Sequence, residues 1–361
     1  MSKVYNFAAG PSMLPEAVMK DVQKEFLDIN GIGAGVIEIS HRSKDYLAIA
    51  EKATADLREL MNIPDNYKVL FMHGGGRGVF ANLPMNLATA DGSADYIVTG
   101  AWSGYAAEEA VKYTNVNSIK GDFVNADGKV DLKFEGLPLK KDSAYVHVCM
   151  NETIHGIEMF NTPDTGDVPL IADISSCILS RRMDVSKFGM LYGGAQKNIG
   201  PSGITIVIVR EDLIGHAQSF TPAIWDYKVT ADHDSMLNTP NTFAWYFAGK
   251  VFAWLKSLGG VEAMEAINKE KSELLYNFID SSDFYSNNVA EGVRSRMNVP
   301  FFLKDSSLDQ QFIAEAKANN LISLKGHRVL GGMRASLYNA MPLEGVKALV
   351  AFMEKFEKAH K

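Results

Sequence analysis

Residues 191–201, LYGGAQKNIGP, place a lysine in a glycine-rich turn between two apolar stretches. The second stretch, Ile204–Val209, is continuously apolar or β-branched, and both stretches are typical of buried strands. A strongly hydrated lysine is unusual in such a turn unless its amine is a reactant. A partly desolvated lysine loses its proton more easily and can condense with a carbonyl. Lys197 is therefore either a solvated turn residue or a reactive amine, and its neighbours decide between the two.

Helical and strand patterns alternate on both sides of this stretch. They predict an α/β fold with a mainly parallel, doubly wound sheet. The predicted strands are Val69–Met72, Tyr96–Val98, Ala144–Val148 and Pro169–Ala172, with a short extended piece at Val36–Ile39. The predicted helices are Pro15–Asn30, Tyr46–Met61, a helix from the glycine loop to Leu87, and Thr242–Leu258.

The pattern changes after Gly259 and Gly260, which end the long aromatic helix. Short strands near Met297–Leu303 and helices at Val261–Ile279, Asp309–Asn319 and Leu343–Lys358 predict a smaller α+β domain. We therefore expect a large domain at residues 16–260, and a small domain formed by residues 1–15 and 261–361.

Composition excludes several classes of protein. The chain has 361 residues, 47% of them hydrophobic, which is enough for a large core. Its formal net charge of −7 argues against a general nucleic-acid or anionic-membrane surface. Two cysteines imply no disulfide scaffold and fit a reducing compartment. Neither a signal peptide at Met1–Phe7 nor a run of roughly 20 apolar residues is visible, so we expect a cytoplasmic protein.

A glycine-rich loop, residues 73–78 (HGGGRG), directly follows the strand at Val69–Met72 and opens a helix. Backbone N–H groups at such a helix N-terminus, left accessible by glycine, bind phosphate with help from the helix dipole. The loop is not a Walker motif, because no Gly-Lys-Ser/Thr follows, and it lacks the full context of a dinucleotide fingerprint. Glycine turns after strands are common, so this loop alone is weak evidence for a phosphate site.

Trp102, Thr153 and Asp173 also lie at or just beyond the ends of predicted strands, where ligands of open parallel sheets collect. A buried carboxylate at Asp173 must be paired with a cation or be strongly hydrogen-bonded, and a protonated pyridine nitrogen would be such a partner. The indole of Trp102 suits stacking on a heteroaromatic ring, and the Thr153 hydroxyl could bond a ring oxygen. A turn cap and core packing are the ordinary alternatives. The order of glycine loop, aromatic, threonine, aspartate and lysine nevertheless predicts a pyridoxal-phosphate site.

These residues are also where the chain resembles the phosphoserine aminotransferase family, which belongs to the fold-type I, class V pyridoxal-phosphate aminotransferases. The resemblance runs essentially from end to end, and its motifs are specific to this family. One departure is Ala8–Ala9, where members of the family often carry a serine. The matching segments are Asn6–Phe7, Gly10–Pro11, Ser40–Arg42, His73–Gly78, Asn151–Thr153, Ala172–Asp173, Gly194–Asn198, Asn238–Pro240, Gly326–Arg328 and Gly331–Ser336.

The resemblance implies a role for each cofactor residue. Lys197 forms the Schiff base with pyridoxal 5'-phosphate, and Asp173 is the partner of the pyridine nitrogen. Trp102 stacks on the ring, and Thr153 lies near it. The residues implied at the cofactor phosphate are Gly76, Arg77 and Gln196, together with Asn238 and Thr239 from the second subunit of a homodimer.

Substrates with two anionic ends require basic residues at two places. Arg334 lies in a glycine-bounded strand-like segment, and the planar fork of arginine suits bidentate binding of the α-carboxylate. Two identical His-Arg pairs, at 41–42 and 327–328, are available for the distal anion. We therefore predict that His41, Arg42, His327 and Arg328 bind the phosphate or distal carboxylate.

The resemblance implies transamination of 3-phosphohydroxypyruvate with L-glutamate, giving O-phospho-L-serine and 2-oxoglutarate in serine biosynthesis. Lys197 would act as the general base in a ping-pong mechanism. The sequence leaves open whether 4-phosphohydroxythreonine, an intermediate of pyridoxine biosynthesis, is also a substrate. No metal and no nucleic-acid or membrane partner is expected.

Three alternatives remain at this point. A cysteine desulfurase would need a reactive cysteine in a mobile loop, whereas Cys149 and Cys177 lie in strand-like contexts. An alanine-type transaminase would have no use for two His-Arg pairs. A non-catalytic anion binder on the same fold would have no need of Lys197 and Asp173.

Overall fold

The computed structural model describes residues 3–361. Met1 and Ser2 lie outside the described residues. They belong to the predicted small domain and to the segment predicted to lack a signal peptide. The α-helices within this range are α1 Glu16–Glu25, α2 Lys44–Met61, α3 Gly75–Leu87, α4 Ala101–Ala110, α5 Tyr227–Asp232, α6 Thr242–Ser257, α7 Gly260–Ser281, α8 Asp309–Ala318 and α9 Leu343–His360. The strands are β1 Tyr5–Asn6, β2 Tyr67–Met72, β3 Ser93–Val98, β4 Asn115–Lys120, β5 Asp122–Val124, β6 Val130–Leu132, β7 Val146–Cys149, β8 Asn151–Glu152, β9 Ile157–Glu158, β10 Leu170–Asp173, β11 Met190–Gly194, β12 Thr205–Arg210, β13 Tyr285–Ser286, β14 Asn298–Leu303, β15 Leu321–Ile322 and β16 Met333–Ser336.

A seven-stranded sheet in the order β2-β12-β11-β10-β7-β3-β4 forms the centre of the molecule. Strand β12 is antiparallel to both of its neighbours, and the other pairings are parallel. The strands other than β12 therefore all end at the same edge of the sheet. The predicted mainly parallel α/β sheet is confirmed.

Both faces of the central strands β12, β11, β10 and β7 are buried, which explains why these strands are largely apolar. Leu191 and Ile206 belong to an apolar cluster that includes residues of α2 and α6. Their neighbours Tyr192 and Val207 belong to a second cluster, with residues of α3 and α4. Helices thus cover the sheet on both sides, as a doubly wound fold requires.

The C-terminal part has a three-stranded antiparallel sheet, β13-β14-β16, and the long helix α9. The N-terminal segment joins it, because β1 pairs in parallel with β15 and Phe7 belongs to the apolar cluster of this region. These contacts support the predicted assignment of residues 3–15 and 261–361 to one small domain, and that boundary stays a prediction.

One predicted extended piece is wrong. Residues Val36–Ile39 form a turn, in which Glu38 N donates to Gly35 O at 2.9 Å. The Glu38 carboxylate also accepts from Gly35 N at 3.0 Å. Val36, Ile37 and Ile39 suggest an extended piece, but the bond from the intervening Glu38 side chain closes the backbone on itself.

The first helix is shorter than predicted and ends at Glu25 instead of continuing to Asn30. Ile29 N donates forward to Ala34 O at 3.0 Å, so the backbone turns where the helical pattern would continue. Phe26 is left 44% exposed and does not lie on a buried helix face.

Within residues 3–361, each helix is too short or too polar to cross a membrane.

Candidate active site

The carboxyl edge of the sheet brings the predicted cofactor residues together. Strands β2 and β3 lead into α3 and α4, whose first turns contain Gly76 with Arg77 and Trp102 respectively. Asp173 is the last residue of β10, and Lys197 lies in the turn just after β11. Because these strands are parallel, segments that are far apart in the sequence meet at one edge.

The amine of Lys197 lies among these residues at the edge of the sheet. Its Nζ donates to Thr153 Oγ1 at 2.7 Å and lies 4.8 Å from the centre of the Trp102 ring. Burial lowers the pKa of the amine, and the negative charge of Asp173 opposes that shift. The lysine is therefore a partly desolvated amine held by one hydroxyl, in the state that carbonyl condensation requires.

Asp173 is a buried carboxylate whose pKa is raised by burial, against the favourable charge of Lys197. Ser175 N donates to its Oδ1 at 2.8 Å. The same serine accepts from Gly194 N through its hydroxyl at 3.1 Å, which ties the ends of β10 and β11 together. A cation next to Asp173 would complete its pairing, because a buried carboxylate is costly without one.

Thr153 links Lys197 to Ser176 and Asn151 through a chain of hydrogen bonds. Besides accepting from Lys197, its hydroxyl donates to Ser176 Oγ at 3.0 Å. Ser176 Oγ in turn donates to Asn151 O at 2.9 Å. The hydroxyl of Thr153 is therefore fixed from both sides, and its direction is set by this chain of hydrogen bonds.

The first turn of α3 is open to an anion. Its N-cap is Gly74, with no side chain to occupy the free N–H groups, and the turn contains no acidic residue. A Cβ on Gly76 would lie 3.6 Å from Ser175 Oγ and 3.9 Å from Asp173 Oδ2, so glycine keeps this space clear. Arg77 adds a guanidinium that lies 4.7 Å from the Tyr105 ring centre.

These residues fit pyridoxal phosphate. The glycine-lined helix start and Arg77 suit a phosphate, the buried carboxylate suits a pyridinium, and the Trp102 face suits an aromatic ring. Gln196, which is also predicted to bind the cofactor, lies in the same turn as Lys197 and is half-buried. These residues therefore offer a suitable partner for the phosphate, for the pyridine nitrogen and for the ring of the cofactor.

A basic group lies beside this cluster. Arg334, on β16, donates from Nη1 to Thr153 O at 3.3 Å. Burial together with the charges of Arg334 and Arg328 lowers the pKa of His327. The predicted residues Arg334, His327 and Arg328 thus form one electropositive patch next to the reactive lysine, suited to an anionic substrate.

Two predicted pairs are not brought to this site within one chain. His41 and Arg42 lie just before α2, where Arg42 Nε donates to His41 Nε2 at 3.3 Å. Asn238 and Thr239 lie exposed in the loop before α6. Among residues 3–361, none of the four forms a hydrogen bond or an ion pair with the residues around Lys197.

Sequence reasoning missed several residues that shape the site. Ser12 reaches the lysine turn, with its N donating to Gln196 O at 3.0 Å and its hydroxyl to Lys197 O. Glu152 is fully buried, and His155 contacts the start of α4. Glu152 and His155 flank the predicted Thr153, and this proximity is the signal that could have identified them.

Both cysteines are buried, and burial raises the pKa of each thiol. A buried thiol with a raised pKa is a poor nucleophile. The structure therefore disfavours the desulfurase alternative.

Comparison with known proteins gives the same family for the whole chain. Residues 4–349 match the family model described as aminotransferase class-V. A phosphoserine aminotransferase, studied for radiation damage of its Schiff base, is 42% identical over 99% of this chain and 100% of its own, with a TM-score of 0.96.

Two further solved structures are similar to the chain over its whole length. The phosphoserine aminotransferase of Bacillus circulans subsp. alkalophilus is 39% identical over 100% of both chains, with a TM-score of 0.96. The pyridoxal-phosphate-bound phosphoserine aminotransferase of Trichomonas vaginalis is 38% identical over 98% of this chain and 100% of its own, with a TM-score of 0.90. The predicted resemblance is confirmed.

Proposed function

The chain belongs to the class-V aminotransferases, and from this premise we propose that it transfers the amino group of L-glutamate to 3-phosphohydroxypyruvate. The products are O-phospho-L-serine and 2-oxoglutarate, and the reaction is reversible. The observation that carries the proposal is the position of Lys197 Nζ, 2.7 Å from Thr153 Oγ1 and over the Trp102 ring. The solved phosphoserine aminotransferases at 38–42% identity support the choice of substrate.

Pyridoxal phosphate, when bound, supplies an aldehyde that condenses with amines and a ring that accepts electrons from the carbon losing its proton. Lys197 would hold the cofactor covalently, and its free amine would take the proton from the substrate Cα through Nζ. The carboxylate of Asp173 would pair with the protonated pyridine nitrogen. The lowered pKa of Lys197 favours the free amine that both tasks need.

The other side chains would bind and orient the two reactants. Trp102 would stack on one face of the ring, while the helix start at Gly76, Arg77 and the neighbouring Gln196 would hold its phosphate. Arg334, which donates to Thr153 O, would bind the α-carboxylate. His327 and Arg328 would bind the distal anion from the same patch. Glutamate and 3-phosphohydroxypyruvate would occupy the site in turn, so we expect ping-pong kinetics.

We also propose a homodimer with shared sites. His41, Arg42, Asn238 and Thr239 would act at the site of the partner subunit, because each lies away from Lys197 in its own chain. The segment around His41 supports an interface, since it exposes several large apolar side chains. They are Met19, Phe26, Leu27, Ile32, Ile37 and Leu47.

Hybrid dimers test this arrangement. The Lys197→Ala chain lacks the lysine, and an Asn238→Ala, Thr239→Ala chain lacks the two residues proposed to act in trans. In a mixed dimer one site receives both defects and the other receives none. We expect mixing after mild dissociation to recover activity that neither parent shows. A protein that sediments as a monomer, or mixtures that recover nothing, would contradict shared sites.

The proposed setting is serine biosynthesis in the cytoplasm, with 4-phosphohydroxythreonine of pyridoxine biosynthesis as a second substrate. The chemistry of the second substrate matches the first, because both pair an α-carboxylate with a phosphate. Measuring kcat/KM for phosphoserine and for 4-phosphohydroxythreonine with the same enzyme tests the second role.

A transamination assay tests the proposed function directly. Phosphoserine and 2-oxoglutarate are supplied with and without added pyridoxal phosphate, and glutamate formation is followed. We expect activity that depends on the cofactor and exceeds that with alanine by about 100-fold, because the charge-assisted contacts to the distal phosphate are lost with alanine. Equal rates with alanine would favour an alanine-type transaminase, and no rate with any amino acid would favour an anion binder.

A further inference from the structure

A carboxylate from elsewhere in the chain fills the start of α4. Trp102 N donates to Glu152 Oε2 at 2.9 Å, and Ser103 N donates to Glu152 Oε1 at 2.8 Å. The Ser103 hydroxyl donates to the same Oε1 at 2.6 Å. Ala101 N donates to His155 Nδ1 at 3.4 Å. Three successive N–H groups of this helix are thus bound by side chains of one hairpin, β8–β9.

This arrangement makes the two helix starts at the sheet edge different. The first turn of α3 has no side-chain cap and no acid, whereas the N–H groups of Trp102 and Ser103 in α4 already donate to a carboxyl group. Burial raises the pKa of the Glu152 carboxyl, and the bonds from Ser103 and Trp102 oppose that shift. An incoming phosphate would therefore find free N–H groups and the helix dipole at α3, but occupied N–H groups at α4. The buried carboxylate therefore directs an anionic ligand towards Gly76 and Arg77.

The indole of Trp102 makes no hydrogen bond of its own. Its Nε1–H is buried and has no acceptor among residues 3–361, so packing alone orients the ring. The ring meets Tyr105 edge-to-face, with 5.9 Å between the ring centres, and Lys197 Nζ and the Arg77 guanidinium lie 4.8 Å and 5.7 Å from its centre. The Glu152 carboxylate accepts a hydrogen bond from Trp102 N. Thr153, which directly follows Glu152, accepts one from Lys197 Nζ.

Gly100 shows that the carboxylate and the helix start are fitted closely. A Cβ on Gly100 would lie 2.6 Å from Glu152 Cδ, closer than real atoms approach. The φ of Gly100 is 176°, an extended conformation that any residue adopts. Only the approach of Glu152 therefore requires glycine at this position.

We propose that Glu152 is a positioning residue that sets the Trp102 face and the Lys197–Thr153 contact together, so that the cofactor ring is held between them and its phosphate is directed to α3. The proposal rests on the proposed function, since it assigns Glu152 a role toward pyridoxal phosphate. Glu152 contacts neither cofactor nor substrate itself and acts through the backbone of α4 and through Thr153.

Glu152→Gln tests the proposal, because glutamine keeps the size of the side chain but turns an N–H donor toward the N–H groups of α4. Two quantities are measured: the dissociation constant of pyridoxal phosphate for the apoprotein, and the visible circular dichroism of the holoprotein. We expect the dissociation constant to rise between about 10- and 100-fold, as the loss of hydrogen bonds to a charged group implies. The dichroism should weaken, and KM for phosphoserine should stay within about twofold while kcat falls.

Glu158→Gln is the matched control. Glu158 lies in the paired strand of the same hairpin, is equally buried, and binds Arg181 at 2.8 Å and Arg296 N at 3.0 Å instead of α4. We expect this variant to lose thermal stability while keeping the cofactor affinity and dichroism of the wild type. Equal loss of cofactor affinity in both variants would overturn the proposal, because general destabilisation of the hairpin would then explain it.

Gly100→Ala and Ser103→Ala approach the same contact from the other side. The first displaces the carboxylate without changing any charge, and should resemble Glu152→Gln. The second removes the hydroxyl that donates to Glu152 and that also accepts from Thr99 N at 2.9 Å and Gly100 N at 3.2 Å. Because Ser103 N still donates to Glu152, this variant should weaken cofactor binding by less than about 10-fold. If Glu152→Gln does not fold, Gly100→Ala and Ser103→Ala test the positioning role of Glu152 in its place. Wild-type affinity in both of them would overturn the proposal.

The wild-type protein separates this proposal from the proposed function. A wild type that binds pyridoxal phosphate but does not transaminate phosphoserine removes the substrate assignment and leaves the role of Glu152 to be judged by the variants. Variants with unchanged cofactor affinity in an active enzyme remove the role of Glu152 alone. A wild type that binds no pyridoxal phosphate removes both.

Discussion

Two lysines with desolvated amines have opposite chemical roles in this molecule. Lys197 lies in a turn at the edge of the large sheet, and its amine donates to one hydroxyl, that of Thr153, at 2.7 Å. Lys271, on α7, is 0% exposed. Its amine donates to the carbonyls of Leu337 and Tyr338 at 2.9 Å each and of Met341 at 3.0 Å. Burial lowers the pKa of both amines.

The difference shows that burial alone does not make a lysine reactive. All three protons of the Lys271 ammonium are taken by fixed backbone acceptors, so the amine cannot leave without exposing three unsatisfied carbonyls. Lys197 has a single side-chain acceptor, an aromatic face and a carboxylate nearby. An amine with few fixed hydrogen-bond acceptors can give them up and form a bond to a carbonyl carbon.

Lys197→Ala should have the largest effect. We expect transamination to fall on the order of 10³-fold or more, because general base and covalent anchor are lost together. The borohydride-stable link between protein and pyridoxal phosphate should disappear, as mass spectrometry of the reduced protein would show. A stable link that persists in this variant would place the reactive lysine elsewhere.

Lys271→Met should act on stability rather than on chemistry. Three carbonyls lose their donor, so the free energy of unfolding should fall by about 3 kcal/mol or more. The cofactor link should remain, with a rate close to that of the wild type at low temperature. Lys269→Met is the control, since Lys269 is 60% exposed on the same helix and should matter little. Loss of the cofactor link in Lys271→Met would break the comparison.

The stability supplied by Lys271 should depend on pH. Burial lowers its pKa to about 7, whereas a lysine in the unfolded chain titrates at about 10.4. Between these values the unfolded chain binds a proton that the folded chain does not, so folding becomes more favourable as pH rises. The difference in unfolding free energy between wild type and Lys271→Met should grow by at most about 1.4 kcal/mol per pH unit above pH 7.

Denaturant unfolding at pH 6, 7.5 and 9 measures this difference. It should be smallest at pH 6 and largest at pH 9. A flat difference across the range would mean that the three carbonyls keep the ammonium protonated throughout.

The sequence could predict Lys197 but not Lys271, for a physical reason. Lys197 stands in a glycine-bounded turn between two apolar strands, a local pattern in which a solvated lysine is out of place. Lys271 stands in the charged run Lys269–Glu273, which is typical of a solvated helix face. Its burial arises because residues 337–341, some 70 positions later, pack against α7. Local patterns do not contain such contacts.

The same reason separates the predicted parts of the fold and site from the missed ones. Strand ends after apolar runs located Asp173 and Trp102, because strand and turn signals are local. Glu152 was missed, since its partners at 102 and 103 are about 50 residues away. The turn at Val36–Ile39 was misread because one side-chain bond decides it.

Thr153→Val should have the smallest effect and sharpens the comparison most directly. Valine keeps the shape but removes the one acceptor of the Lys197 ammonium, so the protonated amine loses a favourable contact. The pKa of Lys197, already lowered by burial, should fall further by about one unit or less, the equivalent of one hydrogen bond. In the apoprotein, acylation of Lys197 followed by mass spectrometry should reach half its maximal rate at lower pH than in wild type, while Lys271 stays unlabelled. Thr153→Ser keeps the hydroxyl and should restore the wild-type profile. If the profile in Thr153→Val matches that of wild type, the hydroxyl does not hold the proton, and the contrast between one acceptor and three loses its basis.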